Sequence, residues 1–272
     1  MEWIALNNGV SMPLLGLGLY KTTEKNEMDQ AISAAWEAGY RLYDTAQMYG
    51  NEELLGDALR RGGYPREELF LTSKIDTGNM SRQSVLTSFA ESLNKLKTSY
   101  LDLLLIHWPG QRRERLMEAW KALEEIYAQG NVRAIGVCNC VPRHLEWILE
   151  EGNVIPAVNQ IERHPLRNEK QMLDWCQTRG IQLEAWSPLL RGNLKLPLLQ
   201  ELAEKYEKTP AQIVLRWNVQ NRCIVIPKSV HPKRIQENID VFDFALSEED
   251  LTKIDALNTG YRTSRNAETF DF

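Results

Sequence analysis

Short apolar runs rich in β-forming residues alternate along this chain with longer segments whose apolar residues recur at helical spacing. The longer segments carry stripes such as Met28, Ile32 and Trp36, which would share one face of a helix. Strands that alternate with helices in this way indicate a parallel sheet covered by crossover helices. The runs predicted as strands are Leu14–Gly18, Arg41–Asp44, Leu69–Lys74, Leu101–His107, Val132–Val137, Ala157–Gln160, Gln182–Trp186 and Cys223–Pro227.

Such a pattern fits either a closed barrel or an open, doubly wound sheet. The open sheet that binds dinucleotides has a G-x-G-x-x-G turn after its first strand. Here Gly16-Leu17-Gly18 is followed by Leu19-Tyr20-Lys21, so that turn is not completed. We therefore predict an α/β fold of the (β/α)8 TIM-barrel type, formed by residues 1–272 as a single domain.

Two segments lie outside the repeating pattern. Asn7-Asn8-Gly9, between Trp3–Leu6 and Val10–Met12, predicts a β-hairpin outside the barrel proper, since Asn-Gly favours a tight hairpin turn. Near the other end, Ser247-Glu248-Glu249-Asp250 resembles a helix-capping sequence and predicts an extra C-terminal helix.

Composition and charge argue against several classes of function. The 272 residues are 43% hydrophobic with a net charge of −5, and no extended basic run points to nucleic acid. No apolar run approaches the roughly 20 residues that span a bilayer, and the N-terminus does not resemble a signal peptide. The four cysteines have no paired metal-ligand spacing. We expect a cytoplasmic protein with a small-molecule substrate, and neither nucleic acid, a membrane nor a metal as partner.

Polar residues end consecutive predicted strands. Asp44, Lys74 and His107 end the second, third and fourth strands, and the carboxyl ends of barrel strands carry the active site in this type of fold. Tyr49 follows Asp44 closely enough to fold back over that rim. An ammonium beside a phenol would lower the pKa of the phenol, and such a phenol could donate a proton to a developing alkoxide.

Each of these residues also has a purely structural interpretation. Lys74 and Asp44 could form an ordinary ion pair, His107 could be a satisfied structural histidine under Trp108, and Tyr49 could be a surface aromatic. Spacing alone leaves both interpretations open.

Four separated motifs, in the right order from about Asn8 to about Asn258, resemble the signatures of the aldo-keto reductase family, in particular its bacterial 2,5-diketo-D-gluconate-reductase-like branch. The motifs are Tyr43-Asp44-Thr45-Ala46-Gln47-Met48-Tyr49-Gly50-Asn51-Glu52, Leu71-Thr72-Ser73-Lys74, Leu105-Ile106-His107-Trp108-Pro109 and Ile226-Pro227-Lys228-Ser229 with Arg234, Glu237 and Asn238.

The resemblance implies NADPH-dependent reduction of aldehydes and ketones to alcohols, with NADPH/NADP+ as cofactor and a monomeric enzyme. Tyr49 would be the general acid, Lys74 and Asp44 its activating pair, and His107 the group that orients the carbonyl. Tyr20, Tyr49, His107 and Trp108 would line the substrate pocket.

The resemblance also implies a cofactor site. Asn139 and Gln160 would hold the nicotinamide carboxamide and Trp186 would stack on the ring. Lys228, Ser229 and Arg234 would bind the 2′-phosphate, which a guanidinium, an ammonium and a hydroxyl near a helix start suit well. The remaining implied contacts are Gly18 and Leu19 beside the cofactor, Ser187 and Leu189 at the pyrophosphate, and Glu237 and Asn238 at the adenine.

The chain departs from the common family pattern at several positions, none of them catalytic. Cys138 replaces a usual serine, which would remove one contact to the carboxamide. The other departures are Leu19 for threonine, Tyr20 for tryptophan, Cys140 for phenylalanine, Arg163 for tyrosine and Trp186 for tyrosine.

The substrate stays open at this stage among keto-sugar acids, oxoaldehydes and aromatic aldehydes. Short loops favour a broad specificity for small carbonyls, and Arg112 and Arg113 could favour anionic ones. One alternative function is an NADPH-binding regulatory module with little turnover. Another is a barrel aldolase with Lys74 as Schiff-base nucleophile, although Asp44 would keep that lysine charged.

Overall fold

The protein, described here by a computed structural model for residues 2–272, begins with an antiparallel hairpin, followed by a ring of parallel strands. The hairpin consists of β1 (Trp3–Ala5) and β2 (Ser11–Pro13). The ring strands are β3 (Gly16–Gly18), β4 (Leu42–Asp44), β5 (Phe70–Ile75), β6 (Leu101–Ile106), β7 (Val132–Cys138), β8 (Val158–Glu162), β9 (Gln182–Trp186) and β10 (Ile224–Val225). They pair side by side in chain order from β3 to β10.

Helices alternate with these strands and cover the outside of the ring. They are α1 (Lys25–Glu37), α2 (Glu52–Gly62), α3 (Arg82–Leu96), α4 (Arg113–Ala128), α5 (Pro142–Glu151), α6 (Lys170–Gln177), α7 (Pro197–Tyr206), α8 (Pro210–Gln220), α9 (Pro232–Ile239) and α10 (Glu248–Asp255). The predicted (β/α)8 barrel, with an N-terminal hairpin and an extra C-terminal helix, is confirmed.

The ring closes between its first and last strands. Isolated parallel bridges join Leu15 with Val225 and Gly18 with Lys228. Gly18 donates its N–H to the carbonyl of Pro227 at 3.1 Å. The loop after β10 is therefore fixed directly beside the carboxyl end of β3.

The two closing strands are shorter than predicted. β3 begins at Gly16 instead of Leu14, and β10 ends at Val225 instead of Pro227. Leu14 gives its N–H to Glu2 at the start of the hairpin, and Pro227 has no N–H to give. Regular strand pairing next to the closure is therefore limited to a few residues of β3 and of β10.

Local sequence explains several of the boundaries. The Thr209 side chain accepts the N–H of Gln212, whose side chain accepts the N–H of Thr209, so this capping box starts α8 at Pro210. Ser247 accepts the N–H of Asp250 and starts α10. No helix between residues 2 and 272 is both long enough and apolar enough to cross a membrane.

The hairpin closes the end of the barrel opposite the strand carboxyl ends. Its turn residues Asn7 and Asn8 donate to the carbonyls of Pro156 and Arg133, which lie at the starts of β8 and β7. The carboxyl ends of the strands, where the predicted site lies, are left for other segments to cover.

Candidate active site

The carboxyl ends of β4, β5 and β6 bring Asp44, Lys74 and His107 to one rim, because neighbouring parallel strands end on the same side. Lys74 Nζ donates to Asp44 Oδ1 at 2.5 Å and to the carbonyl of Thr45 at 3.0 Å. Both side chains of the pair are buried, with 0% and 2% of their surface exposed. The pair is closed off from water and can be charged there only as a pair.

Tyr49 reaches the same point through a short turn after β4. Its hydroxyl lies 3.5 Å from Lys74 Nζ, and its ring meets that of His107 edge-on with centroids 5.6 Å apart. Gln47 holds the turn in place by accepting the N–H of Asp76 and donating to Ser92. The structure thus brings together the four residues that the sequence placed at the catalytic centre.

The pKa of Tyr49 shifts in the direction opposite to the prediction. Burial raises the pKa of the phenol, and the charge of Lys74, which lowers it, offsets only a part of that effect. The predicted net lowering of the pKa is therefore wrong, because spacing in the sequence could not show how deeply the phenol is buried. Tyr49 keeps its proton throughout the neutral range, as a proton donor must.

Lys74 and His107 differ in charge. Burial alone would lower the pKa of the Lys74 ammonium, but the Asp44 carboxylate raises it above its ordinary value. Burial and the Lys74 charge lower the pKa of His107 to about 3. The site therefore offers a neutral imidazole beside a permanently charged ammonium.

The next strands, β7, β8 and β9, add polar and aromatic groups beside the catalytic cluster. Asn139 has a left-handed backbone with φ 60° and donates to the carbonyl of His107 at 3.0 Å. Trp186 Nε1 donates to Asn139 Oδ1 at 2.9 Å, and its ring is half-buried. Gln160 Nε2 donates to Asp44 Oδ2 at 2.8 Å. An aromatic face and two amides therefore lie against the catalytic cluster.

The closure of the barrel continues this face. A Cβ atom on Gly18 would lie 2.8 Å from the carbonyl oxygen of Ile226, so only glycine fits there. Leu19 is buried and donates its N–H to the carbonyl of Asp44 at 3.0 Å. Leu19 is thus part of the wall and brings no hydroxyl group to it.

A cationic segment follows the closure. Lys228, Lys233 and Arg234 are exposed at or near the start of α9, and within residues 2–272 none has a carboxylate partner within 4 Å. Ser229 is buried and accepts the N–H of His231 at 3.1 Å. Unpaired cations at a helix start are suited to a phosphate group.

The residues predicted at the adenine and the pyrophosphate continue along the same face. Glu237 accepts a hydrogen bond from Thr209 at 2.7 Å, and Asn238 is buried on α9. Ser187 begins the loop after β9 with φ 53°, and Leu189 packs on the core. With the Gly18 contact and the unpaired cations, this donor set fits NADPH.

Tyr20, Trp108 and the C-terminal tail form the open side of the cluster. Tyr20 lies 5.0 Å from Tyr49 between ring centroids, and Phe270 lies 5.0 Å from Trp108. Phe272 packs beside Phe270 at 5.7 Å. The sequence placed Tyr20 and Trp108 in the pocket but did not place the tail there. In the sequence, the only indication of this contact was the presence of two phenylalanines at the end of a polar tail.

The arginines that could have favoured anionic substrates have other partners. Arg113 pairs with Glu150 and Glu151. Arg112 donates to the C-terminal Phe272 carbonyl at 3.1 Å, and Arg115 donates to the same oxygen. In this structure these cations hold the tail and α5 in place.

Among the departures from the family pattern, Cys138 and Trp186 contact the amides of the site. Asn139 Nδ2 lies 3.1 Å from its sulfur, and burial raises the pKa of its thiol. Cys140 is buried in the core. Arg163 is buried away from the site, with its guanidinium 3.8 Å from the Trp217 ring centroid.

Besides the tail, the sequence analysis missed one further residue of the site. Glu184, in the middle of β9, is fully buried, and its Oε2 accepts a hydrogen bond from Gln160 Nε2 at 2.8 Å. The only signal was a charged residue inside an otherwise apolar predicted strand.

Comparison with known proteins identifies similar chains. The model of the Aldo/keto reductase family matches residues 14–259. The chain is 46% identical over 272 residues to a glyoxal reductase of Bacillus subtilis, covering 100% of this chain and 98% of that protein. It is 43% identical over 272 residues to the methylglyoxal reductase DkgA of Escherichia coli K12, covering 98% and 97%.

Solved structures agree with these relatives. A crystal structure of an aldo-keto reductase from a Medee basin deep-sea metagenome library has a TM-score of 0.95 at 39% identity, covering 99% of this chain and 100% of that one. A mutant of Gox0644 in complex with NADPH has a TM-score of 0.94 at 38% identity, covering 100% and 99%.

Proposed function

The chain belongs to the aldo/keto reductase family, and from that premise we propose that its rim cluster reduces small, uncharged α-oxoaldehydes, with Tyr49 as the proton donor. The enzyme uses NADPH to reduce aldehyde or ketone groups to alcohols. The names of two relatives, a glyoxal and a methylglyoxal reductase, support the substrate class. So does an open side formed by aromatic rings, with the neighbouring arginines already paired.

NADPH, when bound, supplies the hydride that the carbonyl carbon receives. Asn139 and Gln160 would hold its carboxamide, Trp186 would face its ring, and Lys228 and Arg234 would bind its 2′-phosphate. These residues would place the reacting carbon of the ring, and the proton would come from a separate group of the site.

Tyr49 donates that proton to the carbonyl oxygen, and Lys74 stabilises the phenolate that is left behind. Asp44 keeps the ammonium charged and aimed at the hydroxyl. His107, being neutral, can hydrogen-bond the carbonyl oxygen without competing with Tyr49 as an acid. The single observation that carries this proposal is the 3.5 Å approach of Lys74 Nζ to the Tyr49 hydroxyl, with Asp44 2.5 Å behind it.

The test compares Tyr49→Phe with Tyr20→Phe, which removes a hydroxyl from the neighbouring ring. We expect Y49F to lose about 10²–10⁴-fold in kcat for methylglyoxal, with NADPH binding by fluorescence titration unchanged. Y20F should keep its kcat within a few-fold. Full turnover by Y49F would refute the proposed role of the phenol.

A carbonyl panel tests the substrate class separately. Methylglyoxal should have a higher kcat/KM than a keto-sugar acid or benzaldehyde; a clear preference for the acid would exclude the uncharged class. A regulatory module would bind NADPH and reduce none of them.

The aldolase alternative is disfavoured, because Asp44 keeps Lys74 protonated. That the enzyme is monomeric and cytoplasmic remains a prediction.

A further inference from the structure

The Gln160 amide lies between two buried carboxyl groups. Its nitrogen donates to Asp44 Oδ2 at 2.8 Å and to Glu184 Oε2 at 2.8 Å. Because both neighbours are acceptors, both N–H groups of the amide are used. The carbonyl oxygen of Gln160, which also lies 3.7 Å from the Cys138 sulfur, is the part of the amide left to face a ligand. Asp44 and Glu184 together fix the amide in this orientation.

The charges around this amide do not balance if both carboxyl groups are ionised. Lys74 is the cation hydrogen-bonded to Asp44, whereas Glu184 has Gln160 as its hydrogen-bond partner within the described residues. Its other oxygen, Oε1, is buried without a partner in residues 2–272. Two anions beside one ammonium would leave an uncompensated buried charge, so one carboxyl group favours its neutral form.

That proton belongs on Glu184. Burial, with a contribution from the charge of Asp44, raises the pKa of Glu184 to about 8. Burial also raises the pKa of Asp44, but Lys74 and Gln160 both act to lower it. The other titratable groups near Glu184 are the thiols of Cys138 and Cys223, whose pKa values burial raises, so they stay neutral.

We propose that Glu184 is a positioning residue that acts through Gln160 and sets the charge beside the nicotinamide site. When Glu184 is protonated, the site suits the neutral, reduced ring. When Glu184 is ionised, the site favours the positively charged, oxidised ring. This inference rests on the proposed function, in which Gln160 holds the carboxamide. It couples a proton equilibrium to the relative affinities of the enzyme for NADPH, which it consumes, and NADP+, which it produces.

The two cofactors should affect the protonation of Glu184 differently. Oxidised nicotinamide carries a positive charge and the reduced ring carries none, so NADP+ binding stabilises ionised Glu184 and drives its proton into solvent. NADPH binding has no such effect. The phosphates are the same in both cofactors, so their own titration cancels when the two dissociation constants are divided. The ratio Kd(NADPH)/Kd(NADP+) should therefore rise with pH as Glu184 loses its proton.

The experiment compares wild type with Glu184→Gln, which keeps the shape and the acceptor oxygen but cannot ionise. Tryptophan fluorescence titrations would give both dissociation constants between about pH 6 and about pH 9.5, a range that brackets the titration. We expect the ratio to rise roughly tenfold in the wild type, an effect expected for one charge acting across a partly screened interior, and to stay flat in E184Q.

Glu162→Gln is the matched control. Glu162 is a buried glutamate on the neighbouring strand β8, but it accepts hydrogen bonds from Thr263 and His164, on the side facing the tail. E162Q should keep the pH dependence of the wild-type ratio. Calorimetry in buffers of different ionisation enthalpy should detect a proton released on NADP+ binding near about pH 8 by the wild type and E162Q, and none by E184Q.

A flat ratio in the wild type, or the same rise in E184Q, would overturn the inference. If E184Q does not fold, infrared difference spectra between the two wild-type cofactor complexes decide. Loss of a protonated-carboxyl band with NADP+ would support it, and no change in that band would overturn it. Failure of the wild type to bind either cofactor would instead refute the proposed function itself.

Discussion

The ion pair of Lys74 and Asp44 can be charged inside the barrel only because each side chain has the other. Both are essentially excluded from solvent, at 0% and 2% exposure. Removing one member of such a pair leaves a charge without compensation, which is far more destabilising than removing an exposed pair. The pair that we propose activates Tyr49 therefore also makes stability depend on both of its members being present.

Lys74→Met should lower the free energy of unfolding by about 3–5 kcal/mol, because Asp44 is left buried alone. Adding Asp44→Asn should recover part of that loss without restoring turnover, since the ammonium beside Tyr49 is still missing. Urea unfolding and methylglyoxal reduction measure the two effects. As a control, Lys170→Met removes an exposed pair with Asp174 and should change stability by less than about 1 kcal/mol. Restored turnover in the double variant would contradict the role of Lys74.

At the same scale, the pKa shifts predict a flat pH profile for reduction in the acidic and neutral range. His107 has a pKa lowered to about 3, so it stays neutral as the pH falls through its ordinary value near 6.5. Tyr49 has a raised pKa, so it stays protonated as the pH rises through neutrality. We expect kcat/KM for methylglyoxal to be constant from about pH 5 to about pH 7.5, where neither group titrates. A loss of rate below about pH 6.5 that His107→Gln abolishes would show that the imidazole does become charged.

At the scale of elements, we propose that the start of α9 and the loop before it select the dinucleotide that the enzyme binds. Lys228 and Arg234 lie there exposed and without carboxylate partners in the described chain. A phosphate bound by these groups gains charge-assisted hydrogen bonds, each worth about 1.5–3 kcal/mol. NADH has a hydroxyl group in place of that phosphate and cannot use them.

Arg234→Ala should therefore weaken NADPH binding by roughly 10–100-fold and leave NADH binding nearly unchanged. Lys233→Ala removes an adjacent exposed cation that no motif assigns to the phosphate, and it should have the smaller effect. Fluorescence titrations with both dinucleotides at constant ionic strength measure the difference. Equal losses for NADPH and NADH would mean that Arg234 does not contact the 2′-phosphate.

The elements that the sequence predicted well are those whose pattern is local. β5 and β6 come from short runs of β-forming residues between helical segments, and both are buried along their whole length. The meeting of Asp44, Lys74 and His107 was also predictable, because parallel strands end on one rim. The shortness of β10 was not, since it depends on how the ring closes around Pro227.

What stayed hidden depends on burial and on contacts distant in sequence. The raised pKa of Tyr49 follows from its depth in the site, and the importance of Glu184 follows from Gln160, a residue on another strand. The tail is fixed over Trp108 by bonds from Arg112 and Arg115 to the last residue of the chain. None of these partners is near its counterpart in the sequence.

At the scale of the whole molecule, the contact that closes the barrel also fixes the loop that we propose binds the cofactor. Gly18, at the end of β3, lies against the backbone just before Lys228, and a Cβ there would lie 2.8 Å from the Ile226 carbonyl oxygen. That oxygen is part of the backbone and cannot swing away as a flexible side chain could. Any side chain at this position must therefore push the last strand and its following loop outward.

Gly18→Ala should lower the free energy of unfolding by about 1–3 kcal/mol, in the range of overpacked cores, and weaken NADPH binding at the same time. The two effects are coupled because the displaced backbone leads directly into Lys228 and Ser229. Gly78→Ala is the control, since a Cβ on Gly78 meets no atom within 4 Å, and it should change neither property. Urea unfolding and NADPH titration of both variants measure the coupling. If G18A unfolded early but bound NADPH as tightly as the wild type, closure and cofactor binding would be independent, and the loop after β10 would take its position from α9 alone.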